Sequence, residues 1–270
     1  MYPIIPQLKF TDSNNFFLMA GPCVVENEEM IFQTATKLKE ICARLKIPFI
    51  FKSSYRKANR SSASSFTGIG DEVALKILGD VRNQLHVPIV TDIHEAHEAA
   101  IAAEFVDVLQ IPAFLCRQTD LIVAAAKTGK AVNIKKGQFL YAASMKHAID
   151  KCTETGNKNI FLTERGNSFG YSDLVVDYRN IIDMQKLNVP VVLDCTHSVQ
   201  QPNNATGVTG GKPEFIETIS KAGIAVGVDG LFIETHPNPS IAKSDGTNML
   251  NLDLIEALLE KLLKIRKAIS

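Results

Sequence analysis

The chain has 270 residues, 46% of them hydrophobic, with 29 basic side chains balanced by 29 acidic ones. That length suits one large domain with a substantial core, and the charge balance excludes a global field that would draw the protein to nucleic acid or to a membrane surface. Five cysteines, an odd number without framework spacing, exclude a disulfide scaffold and indicate a reducing compartment, the cytoplasm; no run approaches the roughly 18 apolar residues of a membrane span, and no secretory leader opens the chain.

Eight short apolar, often β-branched runs recur along the chain: Phe16 to Ala20, Phe49 to Phe51, Pro88 to Val90, Val106 to Leu109, Ala131 to Ile134, Ile160 to Leu162, Val189 to Leu193 and Val228 to Ile233. Each has the length of a buried parallel strand. Helical spacing fills most of the intervals: Val73, Ile77, Val81 and Leu85 fall on one face, Leu121, Val123, Ala124 and Ala125 suit another, and Ile216, Ile219 and Ser220 precede a stop at Gly223. Leu252, Ile255, Leu258, Leu259, Leu262 and Ile265 predict a final amphipathic helix packed on the outside. Eight strand-helix units predict an α/β fold, a (β/α)8 barrel forming a single domain over residues 1–270 with a short N-terminal extension. A doubly wound sheet is the alternative, but no Gly-x-Gly-x-x-Gly turn follows any strand.

Polar or ionisable residues stand just past every run: Cys23 with Glu26, Lys52, Asp92, Gln110, Lys135, Arg165, Asp194 with His197, and Glu234. A barrel gathers eight strand ends at one mouth, so these side chains are expected to converge there.

The densest of these strand ends is Phe51-Lys52-Ser53-Ser54-Tyr55-Arg56-Lys57-Ala58-Asn59-Arg60-Ser61-Ser62, which carries four cations and four serine hydroxyls and runs on irregularly to Gly70. Guanidinium forks, ammonium groups and hydroxyls suit phosphate or carboxylate. A solvated basic surface loop is the plainer reading, but an irregular loop this long is usually functional or disordered, and it directly follows a buried-type strand. Lys52-x-Ser54-x-x-Lys57-Ala58-Asn59-Arg60-Ser61-Ser62 closely resembles the signature of the 3-deoxy-D-manno-octulosonate 8-phosphate synthase family. Asn133-x-Lys135-Lys136-Gly137-Gln138-Phe139 and Arg165-Gly166 extend the resemblance, which runs from Gly21 to about Leu250.

The resemblance implies condensation of phosphoenolpyruvate with D-arabinose 5-phosphate and water, in the pathway to the inner-core sugar of lipopolysaccharide. It implies that Lys52, Ser54, Lys57, Gln110, Lys135 and Arg165 hold phosphoenolpyruvate and that Asn59, Arg60 and Ser61 hold arabinose 5-phosphate, in a homotetramer with sites near subunit contacts. A related heptulosonate 7-phosphate synthase using erythrose 4-phosphate is the alternative activity, and its Lys-Pro-Arg-Thr type sequence differs from Lys57-Ala58-Asn59-Arg60. A barrel that binds anions without turnover is a further alternative.

Cys23, His197, Glu234 and Asp245 offer a thiolate, an imidazole and two carboxylates from the first, seventh and eighth strand ends. That donor set suits a divalent transition metal such as zinc, iron or manganese. Taken singly, Cys23 reads equally as a small buried hydrophobe and His197 as a core histidine. Within the family, cysteine at the first position marks the metal-dependent members and asparagine the metal-independent ones.

Lys57, Asp92 and His197 are the candidate catalytic set. Asp92 also suits an N-cap of the following helix, which would place His94 and His97 in its exposed first turns. Asn167 joins as an orienting candidate. Gly207-Val208-Thr209-Gly210-Gly211-Lys212-Pro213 reads as a phosphate-holding loop or as a plain turn, and the resemblance implies a flexible loop near the site over residues 200–206, whose sequence departs from the family's versions. The other four cysteines read as packing residues.

Overall fold

The structure is a computed structural model and describes residues 2–59, 65–170, 172–201 and 210–270. All eight expected runs form strands: β1 (Phe17–Gly21), β2 (Phe49–Lys52), β3 (Ile89–Asp92), β4 (Val108–Ile111), β5 (Ala131–Lys135), β6 (Ile160–Glu164), β7 (Val191–Asp194) and β8 (Gly230–His236). They pair in parallel in chain order, and β8 returns to β1 with Gly230 opposite Phe17 and Glu234 opposite Gly21. The sheet therefore closes, and the (β/α)8 barrel is the observed fold.

Several strands begin later or end later than the apolar runs suggest. β7 starts at Val191 because Pro190 has no N–H to give a ladder. At β4, the Val106 amide is used as the C-cap of the preceding helix, bonding to Ala102. Past the last apolar residue, Lys52, Asp92, Lys135, Glu164, Asp194 and Glu234 remain within the strands, since backbone pairing does not depend on side-chain polarity.

The helices are α1 (Glu28–Leu45), α2 (Asp71–Leu85), α3 (Glu98–Phe105), α4 (Thr119–Lys127), α5 (Lys146–Thr153), α6 (Arg179–Gln185), α7 (Ile216–Val226) and α8 (Ile255–Ile269). Asn27 caps α1 by accepting from the Met30 amide, and Glu28 and Glu29 follow in its first turn. The face of α2 differs from expectation: Val73 is exposed, and Ala74, Leu75, Leu78 and Val81 do the packing. In α4 the buried stripe is Leu121, Ile122, Ala125 and Ala126 rather than Val123 and Ala124. Gly223 does not stop α7 but lies inside it, where a Cβ would come within 2.4 Å of Leu193; the stop is Gly227, at φ +90°.

Two apolar layers result. The larger fills the space between strands and helices. The smaller lies inside the barrel, formed by Phe17, Met19, Ile50, Val90, Val108, Ala131, Phe161, Val192 and Phe232. The N-terminal extension closes its lower end, with Ile5 packed into that inner layer and Ile4 bonded to the Asn159 side chain. Side chains alternate along a strand, so two residues beyond each inner apolar residue the next inward position follows: Lys52 after Ile50, Asp92 after Val90, Gln110 after Val108, Asp194 after Val192 and Glu234 after Phe232. The barrel interior is thus apolar below and ionic above.

Gly21 occupies the corresponding upper position on β1, where a Cβ would fall 2.1 Å from the Lys52 carbonyl oxygen. Gly21→Ala is expected to destabilise the protein by about 1–3 kcal/mol through overpacking, read as a lower thermal melting temperature. A melting curve superimposable on that of the parent would show that β1 and β2 do not need this close approach.

Candidate active site

The upper layer opens into a cavity of about 540 Å³ whose lining includes Lys52, Lys57, Asn59, Asp92, Gln110, Lys135, Arg165, His197 and Asp245. Nine of the residues singled out in the sequence therefore meet at one mouth. Ser54, Cys23 and Glu234 are buried beneath its surface. Arg60 and Ser61 lie outside the described residues, as do residues 202–209, with the first three residues of the glycine-rich segment that begins at Gly207.

The cations are not a bare cup. Lys52 Nζ lies 2.7 Å from Glu234 Oε1 and 3.9 Å from Asp92 Oδ2, Lys57 Nζ is 3.9 Å from the same Asp92 oxygen, and Lys135 Nζ is 2.7 Å from Asp194 Oδ2. Lys135 also stands 3.7 Å over the Phe232 ring. Burial works against charge on Asp92, Asp194 and Glu234, yet the neighbouring cations hold all three below the usual carboxylate range, Glu234 at about 2. Burial pulls Lys135 and Arg165 down from their ordinary values, with Asp194 opposing it in both cases.

Asp92 is not a helix cap, because α3 begins only at Glu98 with His97 as its N-cap residue. Instead it accepts hydrogen bonds from the Ser54 hydroxyl and the Gln110 amide. Gln110 Oε1 accepts in turn from Asn133 at 2.8 Å, and Asn133 Oδ1 from Thr163 at 2.7 Å. That chain fixes the Gln110 amide and leaves its second N–H for a ligand. Arg165 donates through Nη2 to the His197 carbonyl at 3.0 Å and to Gln200 at 3.2 Å, while its buried Nε has no partner among the described residues. A buried guanidinium N–H without an acceptor is fitted to an incoming anionic oxygen.

His94 belongs to the cavity lining rather than the exposed first turn of a helix. Glu98 holds it: its carboxylate accepts from the His94 amide at 2.7 Å, and it pairs with Arg56 of the signature loop. Arg56 is thereby turned away from the mouth while Lys57 faces it. His97 is exposed, as expected. Asn167 lies behind the wall, bonded to Lys136, Gln138 and Leu140.

Cys23, Glu234 and Asp245 present ligand atoms within 4.8 Å of one another. His197 adjoins them, with Nε2 at 3.7 Å from Glu234 Oε2 and 3.9 Å from Asp245 Oδ2. Its Nδ1 is 2.9 Å from Asp194 Oδ2. An Nδ1–H donated to Asp194 directs the Nε2 lone pair at the two carboxylates, the arrangement of a ligating histidine with its outer carboxylate. Glu234 Oε2 is buried without a hydrogen-bond partner among the described residues. Burial first and Glu234 second push the Cys23 thiol up, so a thiolate here needs a cation beside it. An orphaned carboxylate oxygen, a directed imidazole and a thiol in one pocket form a donor set that fits a divalent ion.

Asn133, Thr163, Glu164, His94 and Ser244 also shape the site or its supports and were not among the sequence candidates for it, whereas Asp194 was expected at the mouth. Counting in steps of two from the inner apolar residues finds Asn133, Thr163 and Asp194. His94 and Ser244, whose hydroxyl is 2.9 Å from Cys23 Sγ, lie on loops and carry no such signal.

Residues 5–270 match the sequence profile described as the DAHP synthetase I family. The chain is 51% identical over 267 residues to a protein of Cyanothece sp. named 2-dehydro-3-deoxyphosphooctonate aldolase, covering 99% of this chain and 98% of that one. Proteins of the same name from Fusobacterium nucleatum and Paraburkholderia xenovorans are 49% and 53% identical, covering 98% and 94% of this chain and 95% and 92% of theirs. The chain therefore belongs to the DAHP synthetase I family, among the proteins that the Lys57-to-Ser62 signature resembles.

Proposed function

We propose that the protein joins phosphoenolpyruvate to D-arabinose 5-phosphate with water, giving 3-deoxy-D-manno-octulosonate 8-phosphate and inorganic phosphate. The observation that carries this reading is the pairing at one mouth of Arg165, whose Nε awaits an acceptor, with Lys135, beside the Lys57 and Asn59 wall of the signature loop.

In this mechanism Arg165 and Lys135 hold the carboxylate and phosphate of phosphoenolpyruvate, and the free Gln110 N–H adds a third contact. Asn59, with Arg60 and Ser61, holds the sugar phosphate. The electrons of the enol double bond form the bond to the aldehyde carbon while water adds at the carbon bearing the phosphate, and one proton of that water ends on the aldehyde oxygen, which becomes a hydroxyl. The carbon–oxygen bond to phosphate then breaks, the added hydroxyl becomes the ketone, and its proton leaves with the phosphate. Lys57 stabilises charge growing on the aldehyde oxygen, Asp92 keeps Lys52, Lys57 and Ser54 in register, and His197, fixed by Asp194, faces the reacting oxygens. Held positions matter because two anions must meet against their mutual repulsion. Cys23, His197, Glu234 and Asp245 would hold a divalent metal, which would polarise or orient an oxygen of the reacting pair.

A homotetramer is part of the proposal; exposed Phe139 and Tyr141 on the loop after β5 and Phe169 on the loop after β6 are apolar surface suited to a subunit contact. A cytoplasmic location is proposed too, in keeping with five unpaired cysteines. No helix among the described residues is long and apolar enough to cross a membrane.

The test follows the ultraviolet absorbance of the enolpyruvate double bond when the protein meets both substrates, with and without a chelator. Loss of absorbance that chelation abolishes and divalent metal restores is expected. Turnover with erythrose 4-phosphate and none with arabinose 5-phosphate would overturn the substrate assignment, and chelator-resistant turnover would overturn the metal requirement. Arg165→Ala is expected to raise the KM for phosphoenolpyruvate at least about tenfold, the loss of a charge-assisted contact; an unchanged KM would take Arg165 out of the substrate site. Cys23→Asn is expected to lower bound metal, measured by elemental analysis, while leaving some activity. Full metal content in that variant would remove Cys23 from the ligands.

A further inference from the structure

Lys136 is fully buried and follows Lys135 directly, so the alternation that sends Lys135 into the mouth sends Lys136 out through the barrel wall. Glu164 bears the same relation to Arg165, and it too is fully buried. Behind the wall the two meet, with Lys136 Nζ 3.5 Å from Glu164 Oε1.

Lys136 Nζ also reaches the carbonyl oxygens of Gly137 at 3.2 Å, Leu140 at 3.1 Å and Gly166 at 3.5 Å, and Asn167 Oδ1 at 3.1 Å. These acceptors come from the two loops that follow the mouth cations Lys135 and Arg165. Glu164 Oε1 accepts from the Gly166 amide at 2.6 Å, closing the turn that carries Arg165. An apolar pair of the same volume would avoid desolving two charges, but it would leave those carbonyls without a donor and the two loops untied.

On the reading that Lys135 and Arg165 hold phosphoenolpyruvate, we infer that Lys136 and Glu164 are positioning residues that set the spacing of these two cations from behind the barrel wall, and thereby the affinity for this substrate and not for the sugar phosphate. The pair acts on one substrate because its bonds, among the described residues, reach the β5 and β6 loops alone, whereas the signature loop and His94 are tied separately through Glu98.

The experiment compares Glu164→Gln, Lys136→Met and the double variant with the parent by thermal melting, by calorimetric titration with phosphoenolpyruvate alone, and by steady-state KM for each substrate. Glu164→Gln keeps the shape and an acceptor for the Gly166 amide, so it serves even if Lys136→Met fails to fold. Misplacing a cation by a fraction of an ångström is expected to weaken phosphoenolpyruvate binding about tenfold in each folded variant, with the KM for arabinose 5-phosphate changed less than about twofold. The double variant is expected to melt higher than Lys136→Met, since no carboxylate is left buried without its cation, yet to bind phosphoenolpyruvate no better. Folded variants with parental phosphoenolpyruvate affinity, or equal losses for both substrates, would overturn the inference. A parent that binds phosphoenolpyruvate but does not consume it with arabinose 5-phosphate would instead overturn the proposed reaction.

Discussion

The ion pair between Lys52 and Glu234 is the contact on which the upper barrel depends. It links β2 to β8 across β1, whose Gly21 stands opposite Glu234 in the β1–β8 register. Both groups are almost fully buried. Desolvating two charges costs several kcal/mol per ion before their attraction returns any of it, so the pair is weak as a source of stability. What it supplies is position. Lys52 also touches the Ser54 hydroxyl and lies near Asp92, and through Asp92 the placement extends to Lys57 and Gln110.

This arrangement explains how four cations share one mouth. Lys52, Lys57, Lys135 and Arg165 would repel one another strongly where water is scarce, and Asp92, Asp194, Glu234 and Asp245 interleave with them. The carboxylates weaken the net attraction for an anion, but they hold each cation in a fixed place before an anion arrives. Preorganised charge needs little rearrangement when new charge develops nearby. Arg165 is the exception in kind: its Nη2 is occupied by a backbone carbonyl and an amide, and no carboxylate is bonded to it. Its free Nε is the group best placed to respond to a ligand.

Most of this frame could be read from the chain. Apolar runs of strand length gave the eight strands, and the polar residue ending each run gave most of the mouth, because a strand near its C-terminal end is the one place where an inward side chain meets solvent. The boundaries were less legible: a hydrophobic run ends at Phe51 while the β ladder goes on through Lys52, and Pro190 trims β7 from the other side. Gly223 misled because a missing Cβ has two uses. In α7 it makes room for Leu193, while the left-handed stop belongs to Gly227. His94 was out of reach because Glu98, four residues on, reads as its neighbour on an exposed helical turn, whereas the helix begins only at Glu98 and the chain before it carries His94 to the cavity. The short-range cap reading of Asp92 failed for a related reason: five residues separate it from the helix it would have capped, and its partners are on other strands.

Glu234 joins the two halves of the site. One oxygen takes the Lys52 ammonium; the other has no hydrogen bond and faces His197 on the side where Cys23 and Asp245 gather. A single rigid carboxylate thus fixes the distance between the cation that borders the anion pocket and the donors suited to a metal. Its charge is secured by the buried Lys52 ammonium. Moving Glu234 by rotation would break one contact to improve the other, so the two subsites cannot drift independently. That constraint suits a reaction in which an enolic carbon and an aldehyde must meet at bonding distance.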